Sequence, residues 1–185
     1  MISFAEALPN TVIVNGKAYA IYTDFRVWMR FCLEFEAFRD GGYEGVMDIS
    51  YLFKNLLPEF EKPEDYQTII DFAYPQNVVP RGIQDVEERI LDFRIDSDYI
   101  YSAFMQDYKI DLCEAKMHWH KFKALLNGIS ENTRLCQIMG YRSYTGEQVE
   151  NHDKIYKKLK NAWELPKKLT EEEKHQNEEF ERYFS

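Results

Sequence analysis

The chain has 185 residues, a formal net charge of −9, and a composition that is 45% hydrophobic and 16% aromatic. That length suits one domain with its own core, and the aromatic content argues against wholesale disorder. The acidity argues against gripping nucleic acid over a broad face, because phosphate contacts need a positive surface.

Cys32, Cys113 and Cys136 are too few and too scattered for a disulfide framework or a cysteine-based zinc site, so a reduced, intracellular setting is expected. "MISFAEALPN" does not read as a signal peptide. No apolar run approaches the roughly 20 residues of a membrane helix. The expectation is a soluble, cytoplasmic protein that does not engage a membrane.

In chain order, "TVIVNGKAYAIY" (11–22) places two β-prone runs around Asn15-Gly16, the signature of a tight hairpin. Asp24 is positioned to cap a helix bearing Phe25, Trp28, Met29, Cys32 and Phe35 at helical spacing. "DGGYEG" (40–45) ends it, and a second helix is expected over about 46–56, stopped by Pro58. Pro63-Glu64-Asp65 opens a third helix over "EDYQTIIDFA", followed by a loop over 74–82.

Residues 83–93 fit a short helix or an extended segment. Asp96 is the expected cap of "SDYIYSAFMQDY", and Asp111 that of the helix within "EAKMHWHKFKALLNGIS" (114–130), closed at Asn127-Gly128. Ser130 opens "ENTRLCQIM", with a turn expected at Gly140. "NHDKIYKKLKNAWEL" (151–165) is a basic amphipathic helix stopped by Pro166, and Thr170 with Glu173 opens a last, acidic helix.

His118 and His120 invite a metal reading, but helical residues two apart point about 200° away from each other. A core helix on the Trp119, Phe122, Leu125 and Leu126 stripe, with partly exposed histidines, is the preferred reading. Asp96 and Asp98 lack the glycine and glutamate that complete a calcium loop. "GGYEG" lacks the Lys-Ser/Thr of a phosphate loop. Glu87-Glu88 and Glu171 to Glu173 read as solvated faces, and no cysteine sits in a nucleophile motif. No catalytic residue, metal or cofactor is therefore assigned.

The basic helix carries Lys154, Lys157, Lys158 and Lys160, followed by Lys167 and Lys168, around Ile155, Leu159, Ala162 and Trp163. It suits docking on the domain or on a protein partner, with phosphate or anionic lipid as the less favoured alternatives. Phe25, Trp28, Trp119 and Phe122 are assigned to the core. Trp163, Phe180, Tyr183 and Phe184, with Lys157, Lys158 and Lys160, are the partner-binding candidates.

"LPNTVIVNGKAYAIYTDFRVWMRF" (8–31), "FRIDSDYIYSAFMQDYKIDL" (93–112) and "MHWHKFKALLNGISENTRLCQIMGYRS" (117–143) together resemble a bacteriophage family, the gp-fifteen family of phages and prophages of Gram-positive bacteria. The family's place near the tail-tube protein and upstream of the tape-measure protein implies a tail assembly chaperone. Such a chaperone acts in the host cytoplasm, with the tape measure as client and the tail-tube protein as a further partner.

The expected fold is all-α, one irregular multi-helix domain over 1–150 with a small N-terminal β-hairpin. The basic and acidic helices of 151–185 follow. The leading function is a non-enzymatic tail-assembly chaperone. A structural component retained in the tail, and a nucleic-acid-binding or regulatory protein using the 154–168 basic helix, are the alternatives.

Overall fold

The computed structural model describes residues 6–39, 47–75, 89–146 and 150–166. The protein is mainly helical with one small antiparallel hairpin, as the sequence predicts. β1 (Thr11–Val14) and β2 (Lys17–Ala20) pair in the register Val14 with Lys17 and Thr11 with Ala20. Asn15 and Gly16 make the turn at φ 49° and 74°, a left-handed pair that suits the right-handed twist of the flanking strands. Val12 and Val14 point into the core while Thr11 and Ile13 face out, the two-residue alternation of a half-buried strand.

The helix expected over 46–56 is not formed. Among its described residues only Ser50–Leu52 makes a single 3₁₀ turn. The flanking backbone pairs instead with the chain leaving β2: Tyr22 N–H donates to Leu52 O at 2.8 Å and Lys54 N–H to Ala20 O at 3.0 Å. Those pairings use groups that a helix would satisfy internally, and they seal Ile21 and Leu52 from solvent.

α1 (Phe25–Arg39) begins as predicted, with the Asp24 carboxylate accepting the Arg26 N–H at 3.0 Å. α2 (Gln67–Ala73) follows a 3₁₀ turn at Pro63–Tyr66. There the Asp65 carboxylate accepts the N–H groups of Glu61 and Lys62, which holds its pKa below the usual carboxylate range. Of 83–93, residues 89–92 are irregular and lead into a turn at 93–96. α3 (Ser97–Tyr108) ends at left-handed Lys109, φ 56°.

α4 (Trp119–Asn127) starts later than Asp111 would dictate. Asp111 accepts from Cys113 N–H and shapes only the turn at 112–114. The chain then stays extended, because Phe25 N–H donates to Met117 O (2.9 Å) and Trp119 N–H to Thr23 O (2.7 Å). The cap of α4 is His118, whose Nδ1 accepts the His120 N–H at 3.0 Å. α5 (Arg134–Arg142) is capped by Thr133 rather than Ser130, and Gly140 lies inside it rather than in a turn. α6 (Glu150–Trp163) packs along α5 and is followed by buried Leu165 and exposed Pro166.

The core lies between α1, α2, α4 and the inner face of the hairpin. Phe122 is its hub, stacked on Phe25 at 4.8 Å, Phe104 at 5.2 Å and Trp119 at 5.7 Å between ring centroids. Trp28 lies against Phe72 at 4.2 Å. Both buried indoles find a carbonyl: Trp28 Nε1–H donates to Tyr22 O at 2.6 Å and Trp119 Nε1–H to Ala73 O at 2.8 Å. Burial of rings this size removes about 150–250 Å² each from water, a gross gain of about 4–6 kcal/mol per ring. Phe25, Trp28, Trp119 and Phe122 are thus core residues, as assigned from their spacing.

Candidate functional site

His118 and His120 form a structural joint. Their rings are 5.1 Å apart, with His118 Nε2 at 2.9 Å from Pro9 O and His120 Nε2 at 3.0 Å from Phe72 O. Since His118 Nδ1 accepts the cap hydrogen bond, Nε2 carries the proton and donates to Pro9 O. Burial lowers the pKa of both. His120 is buried rather than partly exposed, because α4 starts at Trp119 and turns it toward Phe72, 4.4 Å away ring to ring. Among the described residues no group of three or more His, Cys, Asp or Glu is arranged to hold a metal ion.

Cys32 is buried beside Tyr74 and Lys123, and burial pushes its thiol up to about 11. It stays protonated near neutral pH and is a poor nucleophile. Lys123 is pulled down by burial, its ammonium lying 5.9, 6.0 and 5.6 Å from the ring centroids of Tyr74, Phe93 and Trp119.

Asp96 occupies the position before α3 but does not cap it. Its carboxylate, sealed from solvent, takes two hydrogen bonds from the Arg142 guanidinium, at 2.7 and 3.0 Å, and one from Asp92 N–H at 2.9 Å. Arg142 also donates to Ile90 O and Trp163 O, at 3.0 and 2.7 Å. One guanidinium therefore ties the lead-in of α3, the end of α5 and the end of α6. Its planar fork is what lets a single side chain serve all three.

The partner-binding candidates fall into three groups. Phe180, Tyr183 and Phe184 lie outside the described residues. Trp163 packs edge-on to Tyr99 at 5.9 Å, with the Arg134 guanidinium 5.0 Å above its ring, so it is half-buried against the domain. Lys157 pairs with Asp153 at 2.6 Å, and Lys160 donates to Tyr144 O at 3.1 Å. Lys158 is exposed, as are Lys154 and Ile155. α6 thus has one face on α5, through Tyr156 against Tyr141 and Tyr144, and an adjoining face bearing exposed Ile155.

A feature the sequence did not announce lies at the far end of α1. Phe31, Phe35 and Phe38, at helical spacing, join Met47, Ile49, Phe60, Tyr66, Ile69 and Ile70 around an open cleft of about 430 Å³. Phe60 stacks on Tyr66 at 4.3 Å and Phe31 on Phe35 at 5.6 Å, which makes the floor almost wholly aromatic and aliphatic. Glu61, Lys62 and Pro63 form part of its lip. Spacing marks Phe35 as inward-facing, but it cannot show that the layer opposite leaves an opening.

A family model described as Bacteriophage Gp15 protein matches residues 4–165. The chain belongs to the Bacteriophage Gp15 protein family. The match runs beyond the "MGYR" block to Leu165, so α6 is part of what the family describes. The Gp15 family is a phage family of structural and assembly type and is not a known enzyme family. No curated protein and no solved structure matches this Gp15 chain significantly. No described helix is long and apolar enough to cross a membrane.

Proposed function

We propose that this Gp15 protein is a non-enzymatic tail-assembly factor that binds the phage tape-measure protein in the host cytoplasm. It keeps that long helical client soluble while tube subunits assemble around it. The observation that carries this reading is the open aromatic cleft in a chain of a phage structural and assembly family. A concave apolar surface of this kind suits the apolar stripe of a client helix. The acidic net charge keeps such a complex dispersed.

The basic helix favours a protein contact over a nucleic-acid one, since Lys157 and Lys160 already serve intramolecular partners. Co-expression with the tape-measure protein of the same phage, followed by pull-down and a solubility assay, tests the proposal. Co-purification with rescued solubility is expected. An insoluble, unbound tape measure, together with this protein in purified virions, would replace it with a component retained in the tail.

A further inference from the structure

The aromatic cleft and the outer face of α6 are complementary to each other, and neither is covered among the described residues. The cleft's lip belongs to the segment Glu59-Phe60-Glu61-Lys62-Pro63-Glu64-Asp65. Asp65 is committed to the backbone N–H groups of Glu61 and Lys62 and to the Asn15 amide. Glu59, Glu61 and Glu64 remain exposed, against a single exposed lysine, Lys62. The cleft is therefore apolar within, Glu61 and Lys62 are its charged lining residues, and the 59–65 segment that carries its lip is net acidic.

On α6, Ile155, Leu159 and Ala162 lie at i, i+4 and i+7, one stripe of a helix. Ile155 is 58% exposed, Ala162 is exposed and Leu159 half-exposed, while Tyr156 and Trp163 occupy the face turned to the domain. Exposed Lys154 and Lys158 flank the stripe, while Lys157 is paired with Asp153. The helix thus presents an apolar line with cationic edges, which is the reverse of the cleft's charge.

We infer that the outer face of α6 from one copy of this chain seats in the α1–α2 cleft of a second copy, with Ile155 as the anchor and the lysines on the acidic lip. The chain's own C-terminal segment is the poorer occupant on charge. Between 171 and 185 it carries Glu171, Glu172, Glu173, Glu178, Glu179 and Glu181 against Lys174 and Arg182, so it would meet an acidic lip with excess negative charge. Because the contact joins two different surfaces, it is heterologous: a pair of copies keeps one free cleft and one free helix, and association proceeds to a ring or a chain. A cleft of about 430 Å³ and one helix face make a small interface, so the contact is weak and reversible.

Sedimentation of the full chain over a concentration series tests this, with two exposed-site variants whose folding is verified by thermal melting. Wild-type weight-average mass should climb past twice the monomer's, since heterologous growth does not stop at two. Raising salt from 0.05 to 0.5 M should weaken association by about tenfold, as the Debye length shortens from more than 10 Å to less than 5 Å. Ile155→Asp (helix blocked, cleft intact) and Glu61→Lys/Glu64→Lys (lip reversed, helix intact) should each stay monomeric.

The decisive result is their mixture. One intact cleft and one intact helix remain between them, so equimolar mixing should restore a contact that stops at a one-to-one pair. A wild-type mass that stays monomeric throughout would overturn the inference. So would association that either variant leaves unchanged, or a mixture that does not pair. Phe38→Gln, on the cleft wall and partly exposed, adds a charge-neutral check and should weaken association without altering the salt slope.

Discussion

Two tryptophan-bearing helices of this protein are held in opposite ways. Trp119, at the start of α4, is sealed from solvent, hydrogen-bonded through its indole, and stacked on the Phe122 hub. Trp163, at the end of α6, is half-exposed and held by one edge-on tyrosine, one arginine above its ring, and its own carbonyl's bond to Arg142. The α4 attachment is apolar burial with its polar atoms satisfied. That of α6 is largely polar: Tyr144 to Asp153 at 2.7 Å, Lys160 to Tyr144 O, and the Arg142 fork. Hydrophobic burial grows with area, whereas a partly exposed polar contact nets little against water. α4 is therefore part of what makes the fold, and α6 is an element laid upon it.

Substitutions should separate the two regimes. Trp119→Ala removes a fully buried ring and orphans Ala73 O, and should lower stability by about 3–5 kcal/mol, read as a shift in the urea midpoint. Arg142→Met leaves the Asp96 carboxylate buried without its partner and should cost about 3–5 kcal/mol, with faster amide exchange along α6 as its second signature. Replacing Asp96 and Arg142 together with Leu and Met should cost less than about half of that, since no charge is stranded. If the single and double variants lose the same amount, the pair is not what joins α3 to α5.

Trp163→Ala should cost only about 1–2 kcal/mol, the worth of one aromatic edge and one cation–π contact. Its exchange signature should be confined to α6. A drop as large as that of Trp119→Ala would erase the distinction between the two helices.

The smallest effect is pH-dependent. Burial holds His118 and His120 below the ordinary histidine value of about 6.5, so the unfolded chain takes up protons first as the solution is acidified. Stability should be full above that value and should decline below it, until the folded-state histidines also protonate. His120→Gln should flatten the decline when urea midpoints are compared across that range.

The hairpin, α1, α2, α3 and α6 were legible in the sequence because their signals are local: Asn15-Gly16 for the turn, Asp24 for the α1 cap, Pro63 for the α2 entrance, Pro166 after α6. The failures share one cause. Residues 46–56 and 111–118 have acceptable helical character, but Leu52, Lys54, Met117 and Trp119 give their backbone groups to strands and turns far away in sequence. Asp96 reads as a cap and is spent on Arg142, 46 residues on. Trp163, a partner-binding candidate, is half-buried against Tyr99, and no local pattern marked the aromatic cleft.

By itself, then, the chain's composition and spacing determined an acidic, aromatic-rich, mainly helical protein whose Phe25, Trp28, Trp119 and Phe122 turn inward. Periodicity says which side of a helix is apolar, and burial follows from that. Only the tertiary structure decided that the Phe31, Phe35 and Phe38 stripe opens into a cleft while the Trp119 stripe is sealed. Both stripes have the same helical spacing, and what differs is the layer opposite. Which segments form that layer is settled by backbone pairings and one buried ion pair between residues distant in the chain, and no local pattern encodes them.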